Sequence, residues 1–353
     1  MAQDTEAETG PTLTQLVARI VRGENLDASD AERAFDFIMD GRATPVQAAA
    51  LLVALRSKKE HATEVAGGVR ALRTAMVRVR ASERENLVDT CGTGGGAVTT
   101  FNISTAAALL AAGAGIRIAK HGNRSFTSRC GSADVLAELG VNIELSPEAM
   151  AAVLEEAGIV FMFAPLLHPA MKHVAPVRRE LGMPTIMNIL GPLTNPAGAS
   201  RQVVGVADPA FVELIAGALH ELGHTHALVV HGEPGLDEFS PAGLTRVVEI
   251  RDGTLFRYDV DPAEFLGQTF TDLTELAGGD PAHNAMLVRG VLDGSVTGAA
   301  RAAVILNAGA AIYVSGQADS LAVGVEAARQ ALDSGAGTDA LERLRSATRH
   351  ARD

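Results

Sequence analysis

The sequence changes character at Asn86, and that change restricts the folds open to it. Beyond it, short apolar runs are followed by glycine and then by alanine-rich helical stretches: "NLVDTCG" leads into "STAAALLAAGAG", and "IRIAKHG" into "SADVLAELG". Further apolar runs follow in "VVGVAD", "HALVVHG" and "RVVEIRDG". Apolar strands alternating with helices imply α/β layering with a substantially parallel sheet. Before Asn86 the signals are helical. "TLTQLVARIVRG" spaces Leu13, Leu16, Val17, Ile20 and Val21 along one face and stops at Gly23. "DASDAERAFDFIMDG" opens on Asp and Ser caps and stops at Gly41; "TPVQAAALLVALRSK" has Thr44 as cap and Pro45 at the first helical position. Three or four short helices therefore come first. From Pro281 to Arg349 the pattern is helical again, and "AARAAVILNAGAAIYVSG" is apolar nearly all round, which predicts a buried helix.

A chain of 353 residues, 47% hydrophobic and 20% charged, can bury a substantial core as one large domain or two smaller ones. It shows no internal repeat and no low-complexity linker, and hinges are expected near residues 80–86, 165 and 190. "MAQDTEAETGPT" is acidic and polar, and no apolar run reaches membrane-spanning length. Residues 1–11 therefore read as a mobile tail, and the protein as cytoplasmic with no membrane partner. Cys91 and Cys130 are the only cysteines, without metal-ligand spacing, and are expected as free thiols. A net charge of −12 opposes a nucleic-acid partner, which would need excess positive charge to displace counterions from phosphates. An anionic small ligand would need a local basic pocket instead.

"DTCGTGGGAVTTFNIST", Asp89 to Thr105, places four glycines in five residues ahead of a helix. "GTGGGA" formally fits a dinucleotide-binding turn, but the helix can start only near Asn102 or Ser104 and the stretch downstream, "RIAKHGNR", is basic rather than acidic. No Gly-Lys-Ser/Thr follows, which excludes a P-loop. What remains is an anion cradle: bare glycine amides, with Asn102, Ser104 and Thr105 at a helix N-terminus. A tight strand-to-helix turn accounts for the glycines as well. A second cluster favours the cradle. "KHGNRSFTSRCGSAD" follows another strand and gathers Lys120, His121, Arg124 and Arg129 among Ser125, Thr127, Ser128 and Ser132, a composition suited to a polyphosphate.

Taken together and in order, "GTGG…TFNIST", "KHGNRS…GSADVLAELG", "FMFAPLLHPAMKHVAPVRRELG", "NILGPLTNPAG" and "VVHGEPGLDEFS" resemble the anthranilate phosphoribosyltransferase family over nearly the whole chain. The C-terminal "ILNAGAAIYVSG" agrees. The resemblance implies a helical domain, residues 12–85 and 166–190, and an α/β phosphoribosyl-binding domain, residues 86–165 and 191–353, usually as a homodimer. It also implies a reaction in which the amine of anthranilate displaces pyrophosphate from carbon 1 of phosphoribosyl pyrophosphate, with Mg2+ assisting. Such a sugar carbon becomes electron-poor while charge builds on the leaving group, so clamping and positioning matter and no dedicated nucleophile is required.

By correspondence with the family, the phosphoribosyl pyrophosphate contacts are Gly92, Gly95, Gly96, Thr100, Asn102, Ile103, Ser104 and Thr105 in the first loop. In the second they are Lys120, His121, Gly122, Asn123, Arg124, Ser125, Ser128 and Ser132. Gly92, Asn123 and Arg178 match anthranilate-binding positions, and His168 and Met171 an entrance channel. Ser104, Asp237 and Glu238 match Mg2+ sites, and hard carboxylate oxygens suit that ion. One departure stands out: the family usually reads "GTGGDG", whereas Gly96 and Ala97 follow here. Removing that carboxylate is expected to lessen repulsion of phosphate and to alter the Mg2+ dependence.

Four other readings compete. "HELGH", His220 to His224, fits a zinc-peptidase pattern, but Gly223 ends the helix and "HALVVHG" starts a strand, so the histidines belong to different elements. A non-catalytic relative binding nucleic acid or protein is opposed by the acidic balance and by the matched pockets. A nucleoside-cleaving relative is opposed by "HGNR" and "VRREL". Thiol regulation through Cys91 or Cys130 is weaker than inert packing, since neither lies in a redox motif.

Overall fold

The computed structural model describes residues 10–96, 98–125 and 129–351, so residues 1–9 of the expected tail, Ala97 in the first loop and Thr127 and Ser128 in the second lie outside the described residues. The chain divides into two units, residues 1–75 with 170–190 and residues 76–169 with 191–353. Residues 76–85 and 166–169, expected in the helical part, fall in the larger unit. There the Val77 N–H donates to Leu167 O at 2.8 Å and the Val79 N–H to Pro196 O at 3.2 Å.

The smaller unit is helical: α1 (Leu13–Val21), α2 (Ala28–Met39), α3 (Pro45–Lys58) and α4 (Ala62–Ala75), joined by α9 (Ala175–Leu181) and α10 (Met187–Leu190). Thr12 and Thr44 form capping boxes with Gln15 and Gln47, so the starts of α1 and α3 are set by local sequence. A Cβ at Gly67 would lie 2.5 Å from Ala28 O, which is why α4 can lie against α2 so closely.

Glu64, fully buried on α4, is the polar centre of this unit. Its carboxylate accepts from Leu26 N–H at 3.0 Å, from His61 N–H at 2.8 Å and from the Lys58 ammonium at 2.9 Å. An amide at this position would turn a donor toward other donors. Glu64→Gln is therefore expected to destabilise the helical unit by about 2 kcal/mol, read as a lower denaturant midpoint.

The larger unit begins β1 (Val88–Gly92), α5 (Ile103–Gly113), β2 (Ile118–Gly122), α6 (Ser132–Glu138), α7 (Pro147–Ala157), β3 (Ile159–Phe163) and α8 (Ala164–Leu167). It resumes with β4 (Arg201–Gly205), α11 (Val212–Glu221), β5 (His226–Gly232), β6 (Thr245–Arg251) and β7 (Thr254–Val260). Then come α12 (Pro262–Leu266), α13 (Pro281–Leu292), α14 (Gly298–Ser315), α15 (Leu321–Asp333) and α16 (Ala336–His350). The sheet order is β3-β2-β1-β4-β5-β6-β7. All pairings through β5 are parallel; β5–β6 and β6–β7 are antiparallel. The apolar run "RVVEIRDG" is thus half of a hairpin, because Asp252 and Gly253 take φ of 50° and 73° and turn the chain straight back.

Helix α14 packs on α5, α15, β1, β4 and β5. By length and composition it could cross a membrane, contrary to the expectation that no apolar run reaches that length, but 83% of it is buried inside this unit and it is a core helix.

Candidate active site

From β1 the chain moves to β2 and β3 on one side, then returns to β4 on the other side of β1. Ligands of open α/β sheets bind where the direction reverses, beyond the C-terminal ends of the two strands. Here those ends are Gly92 and Gly205, paired in register. The segment bearing Asp237 lies directly over them: a Cβ at Gly92 would be 2.7 Å from Asp237 Oδ2, and one at Gly205 would be 2.5 Å from the Asp237 carbonyl carbon. Gly94 and Gly95 take φ of 66° and 77°, and the Gly94 N–H donates to Asp237 Oδ2 at 3.0 Å. The glycines thus serve a turn in which the Gly94 amide faces a carboxylate. A Cβ at Gly96 would be 2.9 Å from Gly235 O and 3.8 Å from Asp237 Oδ1, so an aspartate there would crowd these same carboxylates. Gly96→Asp is expected to shift the Mg2+ concentration giving half-maximal activity by about threefold or more; an unchanged Mg2+ profile would refute the role given to this glycine.

Helix α5 starts at Ile103, as the sequence indicates, and its end is tightly engaged. Ser104 N–H donates to Glu238 Oε1 at 3.1 Å, Ser104 O accepts from the Thr90 hydroxyl at 3.2 Å, and Ser104 Oγ lies 3.3 Å from the Lys120 ammonium. Lys120 is buried and donates to Thr90 O as well. Burial lowers its pKa, Asp89, Cys91 and Glu238 oppose that shift, and its amino group lies beneath the helix end. Thr105 and Ile103 are buried; the Thr105 hydroxyl has no partner among the described residues and lines a small internal cavity with Lys120 and Leu136.

Burial raises the pKa of both Asp237 and Glu238; Asp237 raises Glu238 further, while Lys120 opposes it. Two adjacent half-buried carboxylates whose charge is this costly fit a divalent cation. Among the described residues no group of three or more His, Cys, Asp or Glu could hold a metal.

The second loop is organised by a residue the sequence reading did not single out. Asp134 accepts from Gly131 N–H at 2.9 Å, from Ser125 N–H at 3.4 Å and from the Arg124 guanidinium at 2.7 Å. The Asn123 side chain accepts from Arg124 N–H at 2.7 Å, and Ser132 Oγ donates to Asn123 O at 3.3 Å. Asn102 ties the two loops together, donating to Cys130 O at 3.4 Å and accepting from Asn284 of α13 at 2.9 Å. Thr100 forms a bridge with Ala277 rather than standing free. The signal for Asp134 was present as an acidic residue in the first turn of a helix.

His121 and His168 meet with their Nε2 atoms 3.2 Å apart, one donating and one accepting. Burial, with mutual repulsion for His121, lowers their pKa values to about 3 and about 4. Both are neutral in the fold where the unfolded chain, with an ordinary value of 6.5, takes up protons as pH falls. Stability is therefore complete above about pH 6.5 and is lost as pH falls toward 4, by about 2 kcal/mol for His168 alone. Denaturant midpoints from pH 7 to pH 4.5 should fall steeply for the wild type and less for His168→Gln; identical slopes would count against the pairing.

Arg178, on α9, and Met171 belong to the smaller unit, and the other described site residues to the larger. The Arg178 guanidinium is half-buried, its pKa lowered by that burial, and it has no hydrogen bond or ion pair among the described residues. His220 and His224 do not converge: His220 Nε2 meets Gly253 O at 3.0 Å and His224 Nδ1 meets Leu219 O at 3.2 Å. Both cysteines are free thiols, with pKa values raised by burial, for Cys130 to about 11.

Comparison with known proteins gives the family. Residues 84–338 match the glycosyl transferase family a/b domain, and residues 14–76 the helical bundle domain of that family. An anthranilate phosphoribosyltransferase from Rubrobacter xylanophilus is 52% identical over 94% of this chain and 96% of its own length. The crystal structure of anthranilate phosphoribosyltransferase from Thermus thermophilus superimposes with a TM-score of 0.89 at 45% identity, covering 95% of this chain and 99% of that one. The Saccharomyces cerevisiae enzyme, solved in complex with PRPP and Mg, superimposes with a TM-score of 0.86 at 25% identity, covering 97% and 99%. With these relatives matched over almost its whole length, the chain belongs to the anthranilate phosphoribosyltransferase family.

Proposed function

We propose that this chain transfers the phosphoribosyl group of phosphoribosyl pyrophosphate to the amine of anthranilate, giving N-(5-phosphoribosyl)anthranilate and pyrophosphate in tryptophan biosynthesis. The observation that carries this is the convergence, at the β1/β4 reversal, of the glycine turn, the α5 terminus and the Asp237–Glu238 pair. The Gly94–Gly96 turn and Ser104 hold the diphosphate end, with Lys120 adding a buried positive charge behind them. Asn123, Arg124, Ser125 and Ser132 hold the remaining phosphate and sugar oxygens. Asp237 and Glu238, with Ser104, would hold Mg2+, which when bound offsets charge on the leaving diphosphate. His121 and His168, being neutral, form an uncharged wall suited to an aromatic amine.

Arg178 pairs through its planar fork with the anthranilate carboxylate, while Gly92 and Asn123 serve the same substrate. Met171 and His168 belong to its entry path. No side chain is assigned as a nucleophile; rate comes from positioning and from stabilising the leaving group. The working form is a cytoplasmic homodimer. Loss of anthranilate fluorescence should require protein, phosphoribosyl pyrophosphate and Mg2+ together. Absence of turnover across pH and Mg2+ would reject the reading.

A further inference from the structure

Asp89 and Asn195 are both fully buried and have no part in the roles given so far. They lie where the sheet is interrupted. β1 pairs with β4, and β2 with β3, along all five residues of each strand, yet β1 and β2 pair only at Val88↔Ile118. Strands that part inside a protein leave main-chain donors and acceptors that must be satisfied some other way. Side chains take over here. Asp89 Oδ1 accepts from His121 N–H at 3.1 Å, and Asn195 Nδ2 donates both to Ala119 O at 2.8 Å and to Asp89 Oδ2 at 2.8 Å. From the other strand, Lys120 reaches Thr90 O.

The chemistry at position 89 is specific. Three N–H groups converge on the carboxylate, those of His121, Asn195 and Gln202, the last at 3.3 Å, so an acceptor-only group is required. The Asn195 amide is itself oriented, because its Oδ1 accepts from Ala197 N–H at 3.0 Å and Ala199 N–H at 3.4 Å. Burial pushes the Asp89 pKa up, and Lys120 with these donors pulls it back.

We propose that Asp89, seated with Asn195, is a positioning residue that wedges β1 and β2 apart, setting Lys120 beneath Ser104. Without the wedge the two strands would close toward a regular ladder and Lys120 would lose its path to the end of α5. Asp89 then acts on the reaction only through its neighbours. The proposal rests on the crevice being the phosphoribosyl pyrophosphate site.

A double-mutant cycle tests it. Asp89→Asn is expected to raise the KM for phosphoribosyl pyrophosphate about tenfold, with the KM for anthranilate unchanged, and to weaken binding of magnesium pyrophosphate in calorimetry alike. In a Lys120→Met background the same change should add less than about twofold, because the group it positions is gone. Equal losses in both backgrounds would mark a purely structural residue and overturn the wedge. Should Asp89→Asn fail to fold, Asn195→Ala provides the second arm: a selective rise in the same KM supports the proposal, and an unchanged KM overturns it. Wild-type turnover decides the underlying reading separately. An active wild type with multiplying losses removes the wedge alone, whereas a wild type that neither turns over nor binds pyrophosphate removes both.

Discussion

Gly205→Ala is expected to lower kcat/KM by about a hundredfold or more, although the residue touches no substrate. The added methyl carbon would lie 2.5 Å from the Asp237 carbonyl carbon and 3.2 Å from its Cα, so the Asp237 main chain must retreat. It has little room to do so. Asn307 of α14 clamps Phe239 from both sides, accepting its N–H at 3.0 Å and donating to its carbonyl at 3.1 Å, and Gly232 and Leu236 bond each other at 2.7 and 2.9 Å. Moving the carboxylates out of line with Gly94 and Ser104 would spoil metal and diphosphate positioning together. The loss should therefore appear as a higher Mg2+ requirement as well as lower turnover, with the circular dichroism of the fold retained. Activity within about threefold of wild type would show that the close approach does not position the pair.

That prediction could not be drawn from the sequence, and the reason is physical. Gly205 reads there as one more strand-terminal glycine; only the return of residues 233–238 over the β1/β4 reversal shows what its missing side chain accommodates. Local signals were legible throughout. The Thr44 cap, the buried α14 and the start of α5 near Asn102 all follow from neighbours a few residues away. The clustering of the two loops was also readable, because consecutive parallel strands bring their C-terminal ends to one edge. Less readable were pairs far apart in sequence: Asp89 with Asn195, Asn102 with Asn284, Glu238 with Ser104. The hairpin of β6 and β7 was a different kind of miss, since the Asp-Gly turn signal was there and the apolar run outweighed it. Lys120 is a different case: the sequence places it in the second basic cluster, but does not show its ammonium against Thr90 and Ser104.

Arg178→Ala is expected to raise the KM for anthranilate by about a hundredfold, leaving the KM for phosphoribosyl pyrophosphate within about twofold. A half-buried guanidinium without a hydrogen bond or ion pair among the described residues is costly, and the proposed pairing with the anthranilate carboxylate gives a reason to keep it. Two controls separate this from a loss of shape. Arg178→Lys should recover charge but not the two-pronged fork, and so remain about tenfold impaired. An aromatic amine that lacks the carboxylate should be used equally poorly by the wild type and by Arg178→Ala, because the interaction removed is then absent from both. If the alanine variant instead loses activity toward both amines in equal proportion, Arg178 supports the helix α9 region rather than recognising the substrate, and the carboxylate must be bound elsewhere.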